Sequence, residues 1–92
     1  SCNVTIGDFN AFNGYITIGH DVTIGNFNSF MPGVRISGET NIGNENYFGV
    51  GSVILQRVKI GSDTVVGAGS VIIRKTKDGN TYLGNPATIV KY

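Results

Sequence analysis

Every sixth residue from Ile6 to Ile72 is large and apolar. The positions are Ile6, Phe12, Ile18, Ile24, Phe30, Ile36, Ile42, Phe48, Ile54, Ile60, Val66 and Ile72, without a gap. With 40% apolar residues in the chain, an unbroken run of this length arises by chance on the order of once in 10⁵, taking composition as the prior. An α-helix keeps one face at a period of about 3.6 and a coiled coil at about 3.5, so a period of six belongs to neither. A hexapeptide period is the signature of a parallel β-helix, in which each hexad supplies one short strand and one corner.

Three hexads make a turn of 18 residues, and four complete turns run over residues 6–77. In register, the turns open IGDFNA, IGNFNS, IGNENY and IGSDTV at Ile6, Ile24, Ile42 and Ile60. Stacking turns about 4.8 Å apart aligns Gly7, Gly25, Gly43 and Gly61 in one column, followed by Asp8, Asn26, Asn44 and Ser62. Gly, Asn and Asp tolerate left-handed backbone angles, so these two columns are expected to form the turn of the corner. Asn10, Asn28, Asn46 and Thr64 form a polar ladder of the kind that stacked strands favour. After Ile72 the period dissolves. Asp78-Gly79-Asn80 reads as a turn, and residues 78–92 as a C-terminal tail. The fold class is all-β.

Composition narrows the functions. Ninety-two residues allow one domain. A net charge of +1 gives no field to attract nucleic acid or an anionic membrane, and no apolar stretch approaches a membrane span. The single cysteine, Cys2, has no partner for an internal disulfide, in keeping with a reducing cytoplasm. A thin prism has little core per residue. Packing against other subunits would add burial, and Phe9, Phe27 and Tyr47 are expected on such a surface. Val4 already occupies the second apolar phase of the repeat, so the chain enters with the pattern in progress.

The repeat, together with GHDVTIGN, PGVRISGETNIG, GVGSVI, GAGSVI and the terminal LGNPA, resembles the hexapeptide acyltransferases. It is most similar to the C-terminal domains of the sugar O- and N-acetyltransferases of the sialic-acid and bacillosamine pathways. The resemblance implies a left-handed β-helix, a homotrimer, and acetyl-CoA held in a groove between neighbouring prisms. It also implies an N-terminal nucleotide-sugar-binding domain absent from this chain. The implied reaction moves acetyl from acetyl-CoA to an amino or hydroxyl group of a nucleotide-sugar or sialic-acid-like acceptor.

The implied catalytic pair is His20, the only histidine, with Asp21. A nucleophile attacking a thioester must lose a proton as the bond forms, and an imidazole suits that task near neutral pH. The next residue's carboxylate would fix its tautomer. Each also has a plain reading, since His and Asp are ordinary solvated corner residues. By the same resemblance Ser29, Val50, Ala68 and Gly69 meet the cofactor, Val50 and Ala68 through backbone groups. Gly49, Gly51 and Gly67 would allow a close approach, although glycines are common at corners. A backbone N–H near Gly38 is a candidate oxyanion donor. Arg74, Lys75 and Lys77 read either as a solvated basic edge or as partners for CoA phosphates.

Three other readings compete. A zinc hydratase on the same prism, like the γ-class carbonic anhydrases, needs three histidines around zinc, and this chain has one. An ice-binding solenoid needs a regular threonine face, but Thr5, Thr17 and Thr23 form only a short, irregular set. A catalytically incomplete, trimerising scaffold domain stays open. No metal is expected.

Overall fold

The computed structural model describes residues 3–90, so Cys2 lies outside the described residues. Fourteen short strands form three flat faces of a prism, with no helix among the described residues. The first face stacks β1 (Val4–Ile6), β4 (Val22–Ile24), β7 (Asn41–Ile42) and β10 (Lys59–Ile60). The second stacks β2 (Ala11–Phe12), β5 (Ser29–Phe30), β8 (Tyr47–Phe48) and β11 (Val65–Val66). The third stacks β3 (Thr17–Ile18), β6 (Arg35–Ile36), β9 (Val53–Ile54) and β12 (Val71–Ile72). All these pairs are parallel, with partners such as Ile6↔Ile24 and Phe12↔Phe30. The stack is a left-handed β-helix of about four turns, 40 Å long and 23 by 22 Å across.

The six-residue column fills the axis. Ile24, Phe30, Ile36, Ile42, Phe48, Ile54, Ile60, Val66 and Ile72 are all buried, each contributing about 1.5–3 kcal/mol. The repeat forces identical residues into register, so Phe12, Phe30 and Phe48 stack with centroids 4.7 Å apart and planes within a few degrees. The first turn departs from the expected pattern. Ile6 is 45% and Phe12 39% exposed, because described residues pack on one side of them only. Phe9, Phe27 and Tyr47 are exposed, as expected.

The corners correct the expected role of the glycine column. Left-handed angles fall one residue beyond the Gly-Asx pair, on Phe9, Phe27, Glu45 and Asp63, with φ of 54–59°. Gly7, Gly25, Gly43 and Gly61 are required by crowding instead. A Cβ on Gly25 would stand 2.6 Å from the carbonyl oxygen of Gly43 in the next turn. The Asx side chains bond between turns: Asn44 Oδ1 accepts from the Asn26 N–H at 2.7 Å. The inner polar ladder does likewise. Asn28 Oδ1 accepts from the Asn46 N–H at 3.0 Å, and Asn46 Oδ1 from the Thr64 N–H at 2.8 Å. Buried amides are tolerated here because these bonds satisfy them.

The break in the period after Ile72 does not end the stack. Residues 81–84 form β13 (Thr81–Gly84), which pairs in parallel with β11 through Val66↔Tyr82 and turns back as β14 (Ala87–Ile89). Buried Tyr82 closes this end of the core, and its hydroxyl accepts from the Lys77 N–H at 2.7 Å.

Candidate active site

His20 and Asp21 stand at the third corner, between β3 and β4. Asp21 takes the left-handed position of that corner, φ 56°, which turns its carboxylate back alongside the ring. His20 Nδ1 lies 3.0 Å from Asp21 Oδ2, with both side chains about half exposed. A carboxylate beside Nδ1 fixes the proton there and leaves the Nε2 lone pair free as a base. The bond from His20 holds the Asp21 carboxyl below its ordinary value; desolvation opposes this, and a bond from Asn3 and the charge of His20 add to it.

The ring lies over Gly38 of the next turn. A Cβ there would stand 3.0 Å from Nε2 and 3.2 Å from Cδ2 and Cε1. The backbone also ties the two turns, as His20 O accepts from the Glu39 N–H at 2.8 Å. One turn further, Glu39 meets Arg57 at 3.5 Å and Gln56 at 3.4 Å, an exposed pair that adds little stability.

The proposed cofactor residues divide. Val50, Ala68 and Gly69 share the second corner, exposed and uncharged. Gly51 and Gly69 adopt φ of 68° and 67°, and a Cβ on either would meet nothing, so the surface is open to close approach. The N–H of Gly69 is already spent, donating to Val50 O at 2.8 Å. Gly69 therefore offers its missing side chain rather than that donor. Ser29 stands apart on the second face, in an open groove of about 560 Å³ with Phe27, Glu45, Asn46, Tyr47 and Asp63. Within one chain the third face separates His20 and Asp21 from Val50, Ala68 and Gly69.

Arg74, Lys75 and Lys77 rim a second groove, of about 460 Å³, whose floor is Tyr82, Pro86, Ala87, Thr88 and Ile89. Sequence reasoning found the cations but missed the hairpin beneath them, because the tail carries no repeat to place it. Among the described residues, no group of three His, Cys, Asp or Glu is arranged to hold a metal ion.

This prism of six-residue repeats matches a known class. Residues 39–74 match the bacterial transferase hexapeptide family, six repeats. Among solved structures the chain is similar to a histidine-to-asparagine variant of perosamine N-acetyltransferase from Caulobacter crescentus, in complex with CoA and GDP-perosamine. The identity is 31% and the TM-score 0.95, over 99% of this chain and 44% of that one. It is similar to the acetyltransferase domain of PglB from Neisseria gonorrhoeae in complex with acetyl coenzyme A, with 33% identity and TM-score 0.88 over 95% of this chain and 45% of that one. It is also similar to the UDP-N-acetylglucosamine O-acyltransferase of Moraxella catarrhalis, with 29% identity and TM-score 0.93 over 95% of this chain and 34% of that one. No match to a characterised protein was found by sequence alone. The chain carries the hexapeptide repeat of that family and is similar to sugar acetyltransferases. It spans less than half the length of these structures.

Proposed function

We propose that this chain is the acetyl-transfer domain of a nucleotide-sugar acetyltransferase, with acetyl-CoA as co-substrate and an amino or hydroxyl group of the sugar as acceptor. The observation that carries this is the His20–Asp21 pair, bonded at 3.0 Å with Nε2 directed to the next turn. The acceptor attacks the thioester carbonyl and passes its proton to Nε2. Asp21 stabilises the imidazolium that forms. The C–S bond then breaks, and the proton leaves with the CoA thiol. In this reading a backbone N–H near Gly38 would serve the developing oxyanion, the kind of donor worth about 10²–10³ in rate.

The open second corner supports contact of Val50, Ala68 and Gly69 with the pantetheine arm, and Ser29 extends that surface along the second face. Since one chain holds base and cofactor surface at different corners, the reading places the site between subunits of a homotrimer. The basic rim of Arg74, Lys75 and Lys77 suits phosphate groups. No helix among the described residues is long and apolar enough to cross a membrane. A cytoplasmic setting, where both substrates are made, is part of the same proposal.

The same separation of corners favours one competing reading, a trimerising scaffold without activity of its own. Thiol release from acetyl-CoA in the presence of nucleotide-linked amino sugars separates the two. Turnover that is lost in His20→Ala supports the transferase. Turnover equal in His20→Ala removes the general base, and no thiol release with any acceptor favours the scaffold.

A further inference from the structure

One position in each corner takes left-handed backbone angles, and the three corners fill it differently. The first corner places Phe9, Phe27, Glu45 and Asp63 there, and the third Asp21, Glu39 and Arg57, at φ of 54–65°. The second corner places Gly33, Gly51 and Gly69 there at φ of 67–79°, with Tyr15 in the first turn at 62°. The angle alone does not demand glycine, since the seven residues at the other corners adopt it. Packing does not demand it either. A Cβ would meet nothing at Gly51 or Gly69, and at Gly33 only ordinary contact, 3.6 Å from the Gly51 Cα. Neighbouring Gly49 differs, because a Cβ there would stand 2.6 Å from the backbone nitrogen of Ala68 in the next turn. Gly33, Gly51 and Gly69 thus leave a bare backbone edge that the fold itself does not require. Tyr15 is the one side chain in that column, and it is 93% exposed.

We infer that the Tyr15 ring is a stop at the end of this edge and limits the length of the acyl group the site accepts, favouring acetyl over longer chains. This assignment rests on the transferase reading of the chain and names a specificity residue for it. In that reading the CoA phosphates meet the basic rim of Arg74, Lys75 and Lys77, and the thioester lies level with His20 in the first turn. The pantetheine arm then runs along the second corner from Gly69 toward Tyr15, a span of three turns or about 14 Å. The glycines give the arm bare backbone to lie on. Tyr15 closes the edge in the same turn as His20. The acyl group lies beyond the sulfur, so each added methylene carries it toward the ring. A side chain kept at a strained angle that glycine fills in the other turns points to function. The chemistry is the same for every chain length: the acceptor nitrogen or oxygen bonds to the acyl carbon, the C–S bond breaks, and the proton leaves with the thiol. Only the fit of the chain differs.

Calorimetric titration with acetyl-, butyryl- and hexanoyl-CoA tests it, beside thiol-release kinetics with nucleotide-linked amino sugars. Wild type should bind butyryl-CoA about tenfold or more weaker than acetyl-CoA, the size expected of misfitted methylenes, and Tyr15→Gly should bring the two within about threefold. Tyr15→Ala should shift the preference in the same direction. Tyr15→Phe should keep the wild-type preference, because the ring and not the hydroxyl is the stop. The same chain-length preference in wild type, Tyr15→Gly and Tyr15→Ala overturns the role of Tyr15, while acetyl-CoA binding leaves the transferase reading standing. An unchanged preference joined to a raised KM for the amino sugar puts the ring on the acceptor and overturns it too. A wild-type chain that binds no acetyl-CoA overturns the transferase reading and this assignment with it.

Discussion

The His20 imidazole lies over Gly38, close enough that a methyl group there would stand 3.0 Å from Nε2. The ring keeps its position because the next turn has no side chain at that point. Gly38→Ala should therefore push the ring outward while leaving the prism folded. A displacement of this size costs about 10–100-fold in turnover for a positioned base. Steady-state kinetics beside an unchanged circular dichroism spectrum would check it, and undiminished turnover would refute the positioning role.

Asp21 is held ionised by His20, which sets the sign of its titration. A carboxyl whose folded value is depressed binds its proton less readily when folded. The pair thus contributes to stability above the ordinary value near 3.8, and the contribution is lost as pH falls through the lower folded value. An NMR titration should place the Asp21 midpoint below 3.8, and in His20→Ala the midpoint should rise. Asp21→Asn should lower turnover, since the amide stabilises an imidazolium poorly.

Two kinds of glycine predict two sizes of effect. Gly51 has a left-handed φ and open space around its Cβ position, so Gly51→Ala should cost about 1 kcal/mol from backbone strain alone. Gly25 faces the Gly43 carbonyl oxygen at 2.6 Å, and Gly25→Ala should cost about 2–3 kcal/mol or more by forcing two turns apart. Tyr15 is 93% exposed at φ 62°, and Tyr15→Gly should stabilise by about 0.5 kcal/mol, the strain relieved less the added freedom of the unfolded chain. Denaturant midpoints should follow this order.

The aromatic stack should be graded along the axis. Phe48 is fully buried and packs face to face on Phe30 at 4.7 Å, so Phe48→Ala should cost about 3–5 kcal/mol. Phe12 is 39% exposed at the end of the same stack, and Phe12→Ala should cost clearly less. Equal losses would contradict the open first turn.

Much of the fold was legible because the repeat is one-dimensional. Each turn contacts mainly its neighbours, so a column in the sequence becomes a column in space. Ile24 and Ile42 pair as the period demands, and the Asn28–Asn46 ladder follows. Propensity points to Gly and Asn for the left-handed positions, whereas crowding between turns claims the glycines and leaves Phe27 and Glu45 with the strain. The sequence offers a tail that folds back but not its place, because the pairing of β13 depends on Val66 meeting Tyr82, an offset outside the repeat.

A fixed period maps directly onto a fixed face, so the repeat alone sets the prism, its core column and the corners on which His20, Val50 and Ala68 fall. The folded chain alone shows that Asp21 meets Nδ1 of His20 and that Gly38 makes room for the ring. Those facts depend on distances between turns and on the angle of each corner. A six-residue count carries neither, because it fixes which side a residue faces and not what stands across from it.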